Sequence, residues 1–304
     1  MARHFLALNQ FTKSELDGLF ALTKDLKTKQ KSGVEHHLLK GKSVALIFEK
    51  SSTRTRVSFE VGVYQLGAQP LFISSGTSQM GRGEPIKDTA RCMARYCDGV
   101  MIRTYGQEIV EEFARYSDVP VINGLTDLFH PCQIMADLFT VIEHKGGYQG
   151  LTYAWVGDGN NMANTWIEAS AIFGFELRLA CPQGYEPDAA ILAWAREKGA
   201  KLVLTTDPKE AVAGADVVNT DVWASMGQEA EQLVREKAFV GYCLDDALLA
   251  LAKPDCLVLH CLPAHRGEEI TDSVIEGKNS VVWDEAENRL HVQKAIMAYL
   301  MGAP

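Results

Sequence analysis

The sequence has no apolar run near the ~20 residues that a membrane-spanning helix requires, so no helical passage through a bilayer is expected. It also lacks an excess of positive charge: the net charge is −9 and the sequence pI is near 5.4. A nucleic-acid backbone calls for a basic face. No nucleic-acid partner is therefore expected, and any bound anion must be met by positive charge gathered locally. No Cys-x-x-Cys pair occurs among the 7 scattered cysteines, which argues against a zinc knuckle or a disulfide framework and fits small buried thiols in a reducing compartment. Low-complexity segments and fixed-period repeats are missing as well. Residues 1–10 carry Arg3 and His4 but neither a signal-peptide apolar core with its cleavage site nor an Arg/Ser-rich transit pattern, so the cytoplasm is the expected compartment. What remains is the composition of a globular protein, 304 residues with 47% apolar and 23% charged side chains, long enough for two domains.

The stretch Phe48-Glu49-Lys50-Ser51-Ser52-Thr53-Arg54-Thr55-Arg56 organises the chain. Residues 43–48 are apolar and β-branched enough for a buried strand. Residues 56–66 then read as a helix, with Phe59, Val63 and Leu66 on one face. A helix start presents unpaired N–H groups and the positive end of the helix dipole, a natural seat for phosphate. Ser52, Thr53 and Thr55 add hydroxyl donors, and Arg54 adds a planar fork suited to phosphate. The same residues also suit a plain N-capped helix with solvated arginines.

The elements alternate along the chain. A capping box at Thr12 and Glu15 opens a helix carrying Leu16, Leu19, Phe20 and Leu26. A short strand at 70–73 leads into a polar, glycine-rich loop at 74–84 that contains Gln79. Such a loop is either functional or a solvated connection. Helix 85–96, strand 99–102 ending at Arg103, helix 107–116, strand 119–122 and helix 128–144 follow. The glycine-rich segment 145–150 marks the expected domain boundary, giving domains 1–147 and 148–304, with the C-terminal helix at about 287–304 expected to pack back on the first domain. A second series follows: strand 151–156, helix 162–173, strand 176–180, helix 187–198, strand 201–204, a short helix near Pro208 and strand 216–219. Strands 256–259 and 280–282 and a final helix over 287–300 complete it. The expected fold class is α/β: two parallel-sheet, Rossmann-like domains joined by a helix, with the C-terminal helix closing the chain. Ligands in such sheets gather at the carboxyl ends of strands, which draws Ser52 to Thr55, Arg103 and His130 toward one crevice.

Four further segments carry chemistry. Gly157-Asp158-Gly159-Asn160-Asn161 has the look of a dinucleotide fingerprint, but Met162 stands where a third glycine belongs and no ribose-binding acid is placed. Asn161 instead offers an amide to a small polar ligand. His130-Pro131-Cys132-Gln133 opens a helix, with the histidine held extended by the proline; it reads equally as a capping or buried histidine. Asp221, followed at a short distance by Ser225-Met226-Gly227, suits a zwitterion or an ordinary turn. Cys261 lies past a strand end among His260, His265 and Arg266, a setting that predicts a depressed thiol pKa. The two histidines have no third ligand at metal-site spacing, so no metal is expected.

In this order, the segments from about Phe48 to Ala286-Glu287-Asn288-Arg289 resemble the carbamoyltransferase family, most closely its ornithine-specific members. The resemblance rests on Ser52-Thr53-Arg54-Thr55, Arg103, His130-Pro131-Cys132-Gln133, Asp221 with Ser225-Met226-Gly227, and His260-Cys261-Leu262-Pro263. It implies carbamoyl transfer from carbamoyl phosphate to the side-chain amine of ornithine, giving citrulline and phosphate. Acceptors such as putrescine or acetylornithine are the alternative. It further implies that Ser52, Thr53, Arg54 and Thr55 bind the phosphate, that Arg103 bridges phosphate and carbonyl, and that His130 and Gln133 contact the carbamoyl group. Asn161, Asp221, Ser225 and Met226 would hold ornithine. Cys261, the Leu262 backbone and Arg289 would complete the carbamoyl phosphate pocket, with Cys261 the expected proton acceptor and the leaving phosphate the alternative. Gln79 would reach into a neighbouring subunit's site, since members of the family are trimers with shared active sites. No cofactor is implied.

Overall fold

The computed structural model describes residues 2–80, 83–224 and 231–302. The chain forms two compact units, Met1–Met135 with Glu287–Pro304, and Ala136–Ala286. In the first, α1 (Lys13–Lys31), β1 (Ser43–Phe48), α2 (Thr53–Gln65), β2 (Gln69–Ser74), α3 (Ile86–Tyr96), β3 (Gly99–Arg103), α4 (Gln107–Tyr116) and β4 (Val121–Leu125) alternate. Helix α5 (Pro131–Lys145) carries the chain onward. The second unit contains β5 (Thr152–Val156), α6 (Asn161–Phe173), β6 (Glu176–Ala180), α7 (Ala189–Glu197), β7 (Lys201–Thr205), α8 (Pro208–Val212) and β8 (Val217–Thr220). It continues with α9 (Gln232–Ala238), α10 (Asp246–Leu249), β9 (Leu257–His260) and α11 (Asp272–Ile275). Helix α12 (Val282–Leu300) closes the chain. Among the described residues, no helix is long and apolar enough to cross a membrane.

Both sheets are parallel throughout, in the orders β2-β1-β3-β4 and β7-β6-β5-β8-β9. A parallel sheet with helices on both faces buries its central strands along their length. That is why Val44 to Phe48, all of β3, and Tyr153 to Val156 are buried. Ile47, Ile102, Phe113 and Val121 lie in the first core; Val156, Val218, Phe239 and Val258 lie in the second. Edge strand β2 leaves Leu71 and Phe72 exposed.

The strand order reverses between β1 and β3 in the first sheet, and between β5 and β8 in the second. Crevices for ligands open just past the carboxyl ends of strands at such reversals. Ser52 to Thr55 follow β1, and Arg103 ends β3. Asn160 and Asn161 follow β5, and Asp221 follows β8.

The structure departs from the sequence-based expectation in a few places. Residues 280–282 are not a strand: Ser280 makes an isolated bridge to Val258, and α12 starts at Val282, ahead of the expected Glu287. The apolar run Val281-Val282 that suggested a strand is instead the entry to that helix. The expected boundary at 147/148 also differs from the division between compact units at Met135 and Ala136, inside α5. The segment from Glu287 onward falls in the first compact unit, where the C-terminal helix was expected. Helices α9, α10 and α11 were not anticipated; at 7, 4 and 4 residues they are too short to show a helical repeat.

Candidate active site

In the first unit the site begins at the start of α2. Ser52 is its N-cap, and its Oγ accepts from Thr55 N–H at 3.1 Å. Thr55 is fully buried, and its Oγ1 is a meeting point. It accepts from Ser52 Oγ at 3.1 Å, from Arg103 Nη1 at 3.3 Å and from Arg289 Nη2 at 3.0 Å. Arg103 reaches it from the end of β3, where the ladder to β4 shifts register between Ile102 and Arg103. Gly124 is the residue passed over at this shift, and a Cβ there would lie 2.4 Å from Met101 Sδ. Arg289 comes from α12, donating also to Gln133 Oε1 and, at 3.3 Å, to His130 Nε2. Pro131 is the first residue of α5, so Leu128 and Phe129, expected inside the helix, lie in the turn before it.

Two guanidiniums and a histidine are thus buried together. Burial first, and then the charges of Arg289 and Arg103, hold the His130 pKa well below the ordinary value of 6.5. The ring is neutral, and because Nε2 accepts from Arg289 its proton sits on Nδ1. Arg54 is half-buried on the first turn of α2 and makes no hydrogen bond or ion pair among the described residues. Thr53, exposed, lies beside it. Arg56, by contrast, is spent on Glu60 at 3.0 Å and on the Phe72 ring at 3.7 Å. Gln79 is exposed. Lys50, which the sequence reading passed over, is buried, pairs with Asp127 and lies 4.2 Å from the centre of the Tyr105 ring.

In the second unit, Asp221 is the centre. Its Oδ2 accepts from Asn160 Nδ2 at 2.9 Å, and its Oδ1 accepts from Val222 N–H at 2.8 Å and from Cys261 Sγ at 3.2 Å. Asn160 also caps α6, accepting from the N–H groups of Met162 and Ala163. Asn161, part-buried, is the first residue of that helix. The close approach of Glu186 and Pro187 explains Gly159, since a Cβ there would lie 2.3 Å from Glu186 C and Pro187 N. Gly159→Ala is expected to cost about 1–3 kcal/mol by overpacking. A clear fall in melting temperature would show it, and an unchanged one would contradict it. Ser225 and Met226 lie outside the described residues.

The expected low thiol pKa of Cys261 is overturned. Burial and the carboxylates of Asp221, Glu285 and Asp137 push it well above the usual value. The nearby basic groups are engaged elsewhere: Arg266 pairs with Asp272 and Glu276, and the His260 ring is held between Glu269 and the Leu262 backbone. Cys261 is therefore a thiol that donates to Asp221. The structure does bring Asp221, His260 and Cys261 within 4.8 Å of one another, a set the spacing argument missed. Both His260 nitrogens already have protein partners, Nδ1 the Leu262 N–H and Nε2 Glu269, which leaves no ring lone pair for an ion.

Asn160, Glu269 and Arg235 are the residues that sequence reasoning missed here. Arg235 Nη1 donates to Asp158 Oδ2 and to the Trp223 carbonyl, both at 2.9 Å. Burial pushes Asp158 up to about 6 even with Arg235 beside it. A cap signal at Asn160 was available, since Asn is a favoured N-cap, but Asn161 beside it carries the same signal. Nothing local marks Glu269 or Arg235.

Residues 3–143 match the family described as aspartate/ornithine carbamoyltransferase, carbamoyl-P binding domain, and residues 149–300 match its Asp/Orn binding domain. The chain belongs to the aspartate/ornithine carbamoyltransferase family. Within it, the chain is 82% identical over 302 residues to an ornithine carbamoyltransferase of Geobacter sulfurreducens, covering 99% of this chain and 100% of the relative. Among solved structures it is similar to the ornithine carbamoyltransferase of Pyrococcus furiosus, with a TM-score of 0.95, 49% identity, and coverage of 100% of this chain and 98% of the other. The anabolic ornithine carbamoyltransferase of Campylobacter jejuni gives 0.93, 43% identity, and 98% of each chain.

Proposed function

We propose that the protein transfers the carbamoyl group of carbamoyl phosphate to the side-chain amine of L-ornithine, giving L-citrulline and phosphate. The observation that carries this reading is the division of charge: buried cations meet at the strand-order reversal of the first unit, and a carboxylate with amide and thiol donors occupies that of the second. Residues 1–147 are then the carbamoyl phosphate-binding domain and 148–304 the ornithine-binding domain, with the segment from Glu287 counted with the first unit.

Ser52, Thr53, Arg54 and Thr55 bind the phosphate, and Arg103 spans phosphate and carbonyl. Gln133 and Arg289 hold the carbamoyl group. As the amine attacks, charge develops on the carbonyl oxygen; Thr55, Arg103 and the Nδ1–H of His130 are donors in fixed positions for it. Donors that need no reorganisation stabilise the transition state over the ground state. Asp221 takes the ammonium of ornithine, and Asn161, Ser225 and Met226 hold the rest of the amino acid. Cys261 and the Leu262 backbone complete the carbamoyl phosphate pocket where the acceptor amine meets it, and so line the acceptor side.

The attacking amine must be neutral, although its reference pKa is about 10.4. The cationic cluster favours loss of its proton. A thiol that already donates to Asp221 is a poor acceptor, so the departing phosphate takes that proton as the C–N bond forms and the C–O bond breaks.

Asp221→Asn keeps the shape and removes the charge. It is expected to weaken ornithine about 10- to 100-fold, the worth of a hydrogen bond to a charged group, with carbamoyl phosphate unaffected. Steady-state KM values for both substrates check this, and an equal loss of both contradicts it.

The reading extends to a cytoplasmic homotrimer in arginine biosynthesis, with Gln79 lent to a neighbour's site. An apolar stripe on α2 supports a protein partner there: Val57, Val61 and Tyr64 are 50%, 36% and 74% exposed at helical spacing.

A further inference from the structure

His260 and Glu269 are both buried with fully covered side chains, outside the set of residues given a role above. Their hydrogen bonds have one direction. Leu262 N–H donates to His260 Nδ1 at 2.9 Å, so the ring proton sits on Nε2 and is donated to Glu269 Oε1, also at 2.9 Å. The same Glu269 oxygen accepts from His265 N–H at 2.6 Å, and His260 N–H is tied to Glu285 Oε2 at 2.9 Å. Between these anchors lies Leu262, whose φ of 58° is the single positive value among the described non-glycine residues. A leucine takes that conformation when its surroundings impose it.

We propose that Glu269 is a positioning residue: through His260 it holds the Cys261–Leu262 turn in the conformation that sets the Cys261 thiol against Asp221 and fixes the Leu262 backbone. The inference rests on the reading of this turn as part of the acceptor side. Glu269 touches no reacting atom. It fixes the tautomer of His260, and that tautomer supplies the acceptor that the strained Leu262 N–H requires.

The test is steady-state kinetics of Glu269→Ala and Glu269→Gln beside the unaltered protein. Glu269→Ala is expected to lose about 100-fold in kcat with ornithine, the scale of a misplaced reacting group, while the Kd for carbamoyl phosphate, set mainly by Ser52 to Thr55 and Arg103, changes by a few-fold at most. Glu269→Gln keeps the Oε1 acceptor. Its new NH2 falls where Oε2 has no hydrogen-bond partner among the described residues, so it is expected to recover most of the rate. Wild-type rates in Glu269→Ala would overturn the proposal, as would a Gln variant as slow as the Ala variant. If Glu269→Ala does not fold, Glu269→Asp, one methylene short of His260, carries the same expectation of a slow enzyme with intact carbamoyl phosphate binding. No turnover of ornithine by the unaltered protein would sink the functional reading itself, which separates the two failures.

Discussion

Arg54→Ala is expected to lower kcat about 1000-fold, the upper end of what a single donor to developing charge supplies, with a smaller rise in the KM for carbamoyl phosphate. The side chain stands on the first turn of α2 and has no hydrogen bond or ion pair among the described residues. Nearby Arg56 has Glu60 and the Phe72 ring, and Arg103 and Arg289 converge on Thr55. A guanidinium left without a protein partner at a helix start is available to an incoming phosphate. Its stabilisation grows as the C–O bond breaks and charge collects on the leaving group, so its loss falls mainly on kcat. A variant with raised KM and unchanged kcat would mean that Arg54 binds ground state and transition state alike.

His130→Ala is expected to cost about 100- to 1000-fold in kcat, the range for removing an oxyanion donor. The sign of its pH dependence follows from the environment. Burial and two guanidiniums lower the folded-state pKa well below 6.5, so the ring is neutral both at neutral pH and somewhat below it. The stability linked to this histidine is complete above the unfolded value near 6.5 and declines as pH falls below it, because the unfolded chain gains a proton that the folded one resists. The pH profile of kcat should show no limb from His130 near its reference value. A limb near 6.5 that vanishes in His130→Ala would mean that the imidazolium is formed in use, and that the neutral Nδ1–H donor is misassigned.

The parts of this account that were legible in the sequence share a local signal. Ser52 as a cap, the apolar strand before it and Arg103 at a strand end are readable because helix starts and buried parallel strands have short-range patterns. The alternation of strand and helix was enough to predict two parallel sheets, and sheet topology then predicts that the carboxyl ends of β1, β3, β5 and β8 carry the chemistry. Charge balance at Cys261 was not legible. Counting His260, His265 and Arg266 as neighbours predicted an activated thiol, whereas folding turns each toward a carboxylate and brings Asp221, distant in sequence, against the sulfur. Glu269 and Arg235 were invisible for the same reason: a buried acid or base is recognised by its partners, and those are set by tertiary packing. The start of α12 at Val282 shows a smaller version of this ambiguity, since two valines suit a strand and a helix equally.

The most direct test of the central claim is formation of a ureido product from carbamoyl phosphate with ornithine, aspartate, putrescine and acetylornithine assayed side by side. Turnover confined to ornithine is the predicted result. Turnover with another of these amines instead would keep the Ser52 to Thr55 phosphate site and contradict the assignment of Asp221 as the seat of a free amino acid's ammonium. No turnover with any of the four, despite tight carbamoyl phosphate binding, would contradict the reading of the protein as a carbamoyltransferase in action.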